Sequence, residues 1–135
     1  MIPKQYTDNL MSDITFEPEP SKTFKMNNEK ENIVNTCDGL DAMRQAIYLI
    51  LNIERYTCPI VSWNYGVELA DLFGQPTTFC IPEIERRIRE ALLMDDRIKK
   101  VYDFTFEIPK KGVVFTKFKV DTSYGTVNGE KVVSI

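Results

Sequence analysis

The spacing of apolar residues predicts an amphipathic helix from Asp38 to Asn52. Six apolar residues recur at intervals of three and four positions, so that they form one stripe along a helix. They are Leu40, Met43, Ala46, Ile47, Ile50 and Leu51. Asp38 is a favourable N-cap, and Asp41 lies in the first turn, where negative charge complements the helix dipole. Pro59 disfavours helical backbone at the residue before it, so the helix is expected to end upstream of that point.

Two further helices are predicted in the middle of the chain. The first is short, from Val67 to Phe73, and Gly74 is suited to closing it. The second begins at Pro82, because proline is tolerated at the first helical position, where the backbone N–H has no partner within the helix. Its buried stripe consists of Ile84, Ile88, Ala91 and Leu92.

The last third of the chain alternates apolar and polar residues, which indicates half-buried β-strands. The predicted strands are Tyr102–Ile108, Val114–Asp121 and Val132–Ile135, and the predicted turns are Pro109–Gly112, Tyr124-Gly125 and Asn128-Gly129. Helices followed by adjacent strands favour an α+β fold. We therefore predict about three helices packed on a C-terminal antiparallel sheet, forming a single domain at residues 36–135.

Residues 1–35 show neither the helical nor the strand spacing of apolar residues and are predicted to be an extended N-terminal arm. Pro18 and Pro20 interrupt the segment, and its apolar residues are isolated in a polar background. Such a segment cannot bury enough apolar surface to fold alone. Phe24 is one of the isolated apolar side chains expected to dock on the domain or on a neighbouring protein. A disordered tail is the alternative.

Composition excludes several kinds of active site. The chain of 135 residues contains no histidine, which excludes histidine-dependent triads and histidine-ligated metal sites. Its three cysteines are widely spaced and no phosphate-binding glycine loop is present, so no cofactor is predicted. A net charge of −3 gives no excess of cations for nucleic acid, and no apolar stretch is long enough to cross a membrane. We expect the protein to be made and kept in the cytoplasm.

Paired carboxylates leave one route to catalysis. Glycoside hydrolysis needs two carboxyl groups facing one cleft, with the pKa of one raised by apolar surroundings. Glu68 and Asp71 are three positions apart, and Glu54 lies near an aromatic segment. In a chain with 20 acidic residues such pairs are unavoidable, and we interpret them as solvated acids or arginine partners. No enzymatic activity is therefore predicted.

An aromatic loop before the second predicted helix is the candidate protein interface. Trp63 and Tyr65 carry large apolar surfaces with one polar atom each, as residues at interaction hot spots do. Filling the core of the domain is the alternative. Gly66 is expected to provide a positive φ or a close backbone approach. Arg55 either donates paired hydrogen bonds to a carboxylate such as Glu68, bracing the loop, or is a surface arginine at a helix end.

Several segments in order resemble the XkdS-like phage baseplate proteins. They are PSKTF at 20–24, DGLDAMRQAIY at 38–48, ILNIERY at 50–56, SWNYGVEL at 62–69 with DLFG at 71–74, EIERRI at 83–88, and EALLMDDRI at 90–98. Each segment alone is a weak signal, but their order and spacing make the resemblance specific. More distantly, the chain is similar to the gene-25-type wedge proteins of contractile tails. It lacks the arginine and proline of their characteristic loop at 62–66.

The resemblance implies a structural component of the tail baseplate, assembled in the host bacterial cytoplasm. The expected partners are other baseplate wedge proteins, the tail sheath protein, and the tail tube or hub, with six copies in a particle. An open edge of the predicted sheet would accept or donate a strand to start the sheath. An edge protected by Lys117, Lys119 and Lys131 is the alternative. A tail-associated peptidoglycan-cleaving enzyme and a small cytoplasmic adaptor are the other functions considered.

Overall fold

Helix α1 spans Gly39–Asn52 in the computed structural model, which describes residues 21–135. The prediction of this helix is confirmed, including its cap, because the Asp38 carboxylate accepts a hydrogen bond from the Gly39 N–H at 2.7 Å. Most of the predicted stripe is buried: Met43, Ile47, Ile50 and Leu51, together with Ala42. No helix within the described residues is both long and apolar enough to span a membrane.

Helix α2 spans Thr77–Leu93, so the prediction that it begins at Pro82 is wrong. Pro82 lies inside the helix, where it removes one backbone hydrogen bond. The extra first turn is held by tertiary contacts. Cys80 is fully buried there, and its thiol donates to the Leu72 carbonyl at 3.6 Å. The Cys80 N–H donates to the Pro76 carbonyl at 3.0 Å, which closes the turn.

The short helix predicted from Val67 to Phe73 is also wrong in extent. Only a 3-10 turn forms, at Ala70–Leu72. Val67 instead makes a parallel β-bridge with Glu54, which keeps the backbone extended at the start of the segment. The described residues therefore contain two α-helices rather than about three.

The predicted antiparallel sheet is confirmed and consists of β3 (Ile98–Lys110), β4 (Val113–Thr122) and β5 (Gly125–Ser134), in that order. The turn at Tyr124-Gly125 forms, whereas Asn128-Gly129 lies within β5. Gly129 pairs with Phe118 on β4, and the Phe118 ring comes within 2.3 Å of the position that a Gly129 Cβ would occupy. Glycine at this position therefore makes room for an aromatic ring and does not mark a turn.

A separate antiparallel hairpin, β1 (Thr23–Asn27) and β2 (Asn32–Cys37), begins in the segment predicted as an extended arm and ends two residues beyond it. Its base is attached to the domain through Ser21, which is buried. The Ser21 hydroxyl donates to Tyr124 Oη at 2.7 Å and accepts from Arg97 at 3.3 Å. The rest of the predicted arm, residues 1–20, lies outside the described residues. The division into arm and domain stays a prediction.

One apolar core fills the space between the two helices and one face of the β3–β5 sheet. The larger contributors are Met43, Ile84, Ile88, Leu92, Val114, Phe118 and Val120. Thr116 lies in the same row of β4 and is fully buried, yet its hydroxyl has no hydrogen-bond partner among residues 21–135. Burying an unpaired hydroxyl is unfavourable, so this position is a local weakness of the core.

Thr116→Val is expected to raise the free energy of unfolding by about 1 kcal/mol, because valine keeps the shape and removes the unpaired hydroxyl. Thr122→Val on the same strand is the matched control. The Thr122 hydroxyl donates to the Gly125 carbonyl at 2.7 Å and accepts from the Tyr124 N–H, so its loss is expected to destabilise. Urea titration measures the change in the free energy of unfolding for both variants. A Thr116→Val variant that is as destabilised as the control would contradict this account.

Candidate protein interface around the Trp63 loop

The segment from Tyr56 to Gly66, here called the Trp63 loop, is closed at its base by a short backbone pairing. The Val67 N–H donates to the Ile53 carbonyl at 3.0 Å, and the Arg55 N–H donates to the Val67 carbonyl at 3.3 Å. These bonds join the end of α1 to the chain that leaves the loop. The loop is therefore presented from a fixed base.

Gly66 has both properties predicted for it. Its φ is +102°, and an added Cβ would lie 2.3 Å from the Ile53 carbonyl oxygen, which is backbone and has little freedom to move. The close approach allows the Val67–Ile53 hydrogen bond to form. Glycine at this position is thus a structural requirement of the loop base.

Arg55 braces the loop, but its acceptor is not the one predicted. Its Nε and Nη2 atoms donate to the Gly66 carbonyl at 3.3 and 3.2 Å, rather than to the Glu68 carboxylate. Glu68 contributes its backbone carbonyl, which accepts from Arg87 Nη1 at 3.0 Å. The guanidinium therefore holds the loop by a backbone contact.

Trp63 and Tyr65 of the loop have different surroundings. Trp63 is 69% exposed and its ring contacts that of Tyr56 in a tilted arrangement, with centroids 5.0 Å apart and an interplanar angle of 46°. Tyr65 packs against the core and lines a cleft of about 260 Å³ beside Met94 and Asp95. Burial, followed by the nearby Asp95 carboxylate, raises the pKa of Tyr65. The hot-spot interpretation thus suits Trp63, and the core interpretation suits Tyr65.

Residues that the sequence did not single out extend the apolar surface of the loop. Ile60 is 91% exposed at the loop tip. Met94, at the end of α2, is exposed as well, and its sulfur lies 4.0 Å from Arg55 Nη2. Exposed apolar groups of this kind mark interaction sites when they cluster. Phe24, the remaining predicted interface residue, is exposed on β1 and belongs to the hairpin.

Two of the three carboxylates considered for catalysis, Glu54 and Asp71, have structural roles. Glu54 Oε1 accepts hydrogen bonds from the Leu69 and Ala70 N–H groups at 3.0 and 3.1 Å, so it caps the 3-10 turn. Asp71 pairs with Arg87, and that hydrogen bond lowers the pKa of the Asp71 carboxyl. A general acid for glycoside hydrolysis needs its pKa raised. The shift at Asp71 has the opposite direction.

A second candidate surface is the outer edge of β5. Its pairing with β4 is continuous and free of bulges, and the Ile135 N–H donates to the Gly112 carbonyl at 2.9 Å. Along an antiparallel strand the backbone polar groups of successive residues point alternately toward and away from the neighbouring strand. Because Ile135 points toward β4, the N–H and C=O of Val132, three positions earlier, point to the outer edge. Lys131, expected to protect the edge, turns toward α1 and donates to Asn52 Oδ1 at 3.3 Å.

The opposite edge of the sheet, on β3, is less suited to pairing. Its register with β4 shifts at three places, Asp103 has a φ of +61°, and Pro109 lacks a backbone N–H. Bulges and proline are common protections of an edge strand. Lys117 and Lys119 protect neither edge, because they lie on the central strand. They form salt bridges with acidic residues of β3 at 3.1 Å.

These surfaces are appropriate to a protein that is built into a larger assembly, and comparison with known families identifies the assembly. The family model of contractile injection system sheath initiators matches residues 14–125, so the chain belongs to that family. A relative is the XkdS protein of the phage-like element PBSX of Bacillus subtilis (strain 168). It is 42% identical over 120 residues, which cover 85% of this chain and 84% of the relative. The resemblance to XkdS-like proteins is confirmed, and the chain is a structural component of a phage tail.

The fold also occurs in a Geobacter sulfurreducens protein whose crystal structure is described as that of a tail lysozyme. The TM-score is 0.58 at 16% identity, over 84% of this chain and 96% of that chain. At such low identity the similarity concerns the fold alone.

Proposed function

We propose that this protein is a baseplate wedge component that adjoins the tail tube or hub and nucleates the sheath by accepting a β-strand on the edge of β5. The observation that carries the proposal is the regular, bulge-free outer edge of β5. Among residues 21–135 no strand covers it. Unpaired backbone groups on such an edge form hydrogen bonds with an incoming extended segment. Position and orientation would pass to the first sheath subunit without any covalent change.

The Trp63 loop is assigned to a different neighbour, another wedge protein. A sheath initiator must be fixed to the baseplate before it can orient the sheath, and an aromatic loop on a braced base suits that attachment. The loop and the edge of β5 are formed by different elements, so each can be assigned its own neighbour. Six copies in each particle follow from the sixfold symmetry of contractile baseplates in general.

Val132→Pro tests the strand-pairing role. Proline removes the outward N–H of Val132, which β4 does not use, so the isolated domain should keep its fold. Particles produced with this variant as the sole copy are expected to have tubes and baseplates without sheath. Electron microscopy of induced particles is the measurement. Val132→Ala, which shortens the side chain and keeps the N–H, is the matched control and should give sheathed particles.

Three results bear on the proposal. Sheathed, contractile particles with Val132→Pro would rule out strand addition at β5. Sheath loss with both variants would point to the side chain of Val132 instead of the backbone. Complete particles after deletion of the gene would remove the baseplate role altogether.

Peptidoglycan cleavage is the alternative raised by the paired carboxylates of the sequence, and we infer that this chain does not perform it. Glu54 is engaged as a cap and Asp71 as an arginine partner, so neither is available as a general acid or nucleophile. A zymogram of the purified protein is expected to show no lytic band. A band that Glu54→Gln or Glu68→Gln abolishes, with the fold intact, would reverse this inference.

A further inference from the structure

One edge of the β1–β2 hairpin is already occupied by a side chain. The Gln45 amide Nε2 donates to the Phe24 carbonyl at 2.7 Å, and Gln45 Oε1 accepts from the Met26 N–H at 2.9 Å. A carboxamide has the same donor and acceptor groups as a peptide unit. Gln45, which projects from α1, therefore takes the place of a neighbouring strand along β1.

This contact fixes which polar groups of β2 point outward. The Phe24 C=O and the Met26 N–H, which bond to Gln45, point away from β2. Thr36 and Ile33 lie opposite these two residues, so both are non-hydrogen-bonded pairs of the antiparallel ladder. The backbone N–H and C=O groups of Ile33 and Thr36 are thus on the outer side of β2. A bulge lies between them, with Asn35 at a φ of +65°.

The outer edge of β2 lacks the usual protections of an exposed strand apart from that bulge. Its residues, Asn32–Cys37, include no charge and no proline. Ile33 is 66% exposed, and the adjacent Val34 is exposed on the other face of the strand. Within residues 21–135 no strand pairs with this side of β2. A two-stranded hairpin is marginally stable by itself, so a third strand would add stability.

We propose that the edge of β2 is a second strand-acceptor site, which binds an extended segment of a neighbouring tail protein. It is separate from the site on β5 and does not depend on it. The hydrogen bonds would run to Ile33 and Thr36, and the incoming segment would be uncharged with apolar side chains on both faces. We commit to a different protein as the occupant, because the family to which the chain belongs starts a polymer of another subunit.

Hydrogen exchange, read separately on β2 and β5, tests the proposal on intact particles and on the purified full-length protein. The amides of Ile33 and Thr36 are expected to exchange rapidly in the purified protein and at least about tenfold more slowly in particles. Protection of β5 without β2 would overturn this inference and leave the proposed function intact. Protection of β2 without β5 would support this inference and overturn the proposed strand pairing at β5.

Ile33→Pro and Ile33→Ala separate the backbone contribution from the side chain. Both variants lose the isoleucine side chain, but only the proline also loses the outward N–H. In competition with wild-type protein, Ile33→Pro is expected to enter particles at least about tenfold less often than Ile33→Ala. Equal incorporation of the two variants would overturn the proposal. A dimer of the purified protein that Ile33→Pro dissociates would overturn it in favour of a second copy.

Discussion

Gly66→Ala is expected to lower the free energy of unfolding by about 3 kcal/mol. Two costs combine at this position. Alanine is disfavoured at a φ of +102°, and its Cβ would lie 2.3 Å from the Ile53 carbonyl oxygen. Relief of that contact requires the Val67–Ile53 hydrogen bond to lengthen, which loosens the base of the Trp63 loop. Chemical denaturation of the purified variant measures the effect.

Gly74→Ala is the matched control for this prediction. Gly74 also has a positive φ, +83°, but an added Cβ would have no heavy atom of the described part of the chain within 4 Å. Only the backbone cost remains, about 1 kcal/mol. The difference between the two variants therefore isolates the close approach to Ile53. Equal destabilisation of both would show that the loop base relaxes freely and does not brace the loop.

The sequence correctly predicts those elements for which several local signals agree. In α1 the apolar stripe, the Asp38 cap and the downstream proline all indicate the same helix, and the structure has it. Strict alternation likewise predicts β3 and β4. In β4 the β-branched and aromatic residues at every second position all face the core, which makes the alternation easy to recognise.

Tertiary contacts explain the elements that pattern alone assigns incorrectly. Pro82 reads as a helix start, yet the buried Cys80 and its bonds to the preceding loop add a turn before it. Asn128-Gly129 reads as a turn, yet the Phe118 ring lies over Gly129. In both places the deciding partner belongs to a neighbouring element, so the pattern of the element itself does not reveal it.

The candidate interface was predictable from residue type only in part. Composition indicates Trp63, and the backbone requirement at Gly66 follows from its place at a junction. The acceptor of Arg55 does not follow, because a backbone carbonyl leaves no mark in the side-chain pattern. Met94 lies beside the loop only because α2 packs there, and the residue pattern around Met94 does not predict that packing.

Trp63→Ala is expected to leave the fold intact and to remove the protein from assembled particles. The side chain is 69% exposed, so its loss removes little beyond the aromatic contact with Tyr56 and should cost less than about 1 kcal/mol of stability. Truncation of an aromatic hot spot typically weakens binding by about 2–4 kcal/mol. That loss corresponds to roughly 30- to 1000-fold lower affinity. Peptide mass spectrometry of particles from cells expressing wild type and variant together measures the ratio incorporated.

Phe73→Ala is the control, since Phe73 is equally exposed, at 74%, but lies outside the Trp63 loop. If exposed aromatic surface mattered only through general stickiness or solubility, both variants would be depleted alike. Selective depletion of Trp63→Ala would assign attachment to the loop. Incorporation of Trp63→Ala at the wild-type ratio would exclude Trp63 as an anchor, and attachment would then have to come from the strand edges of β2 and β5.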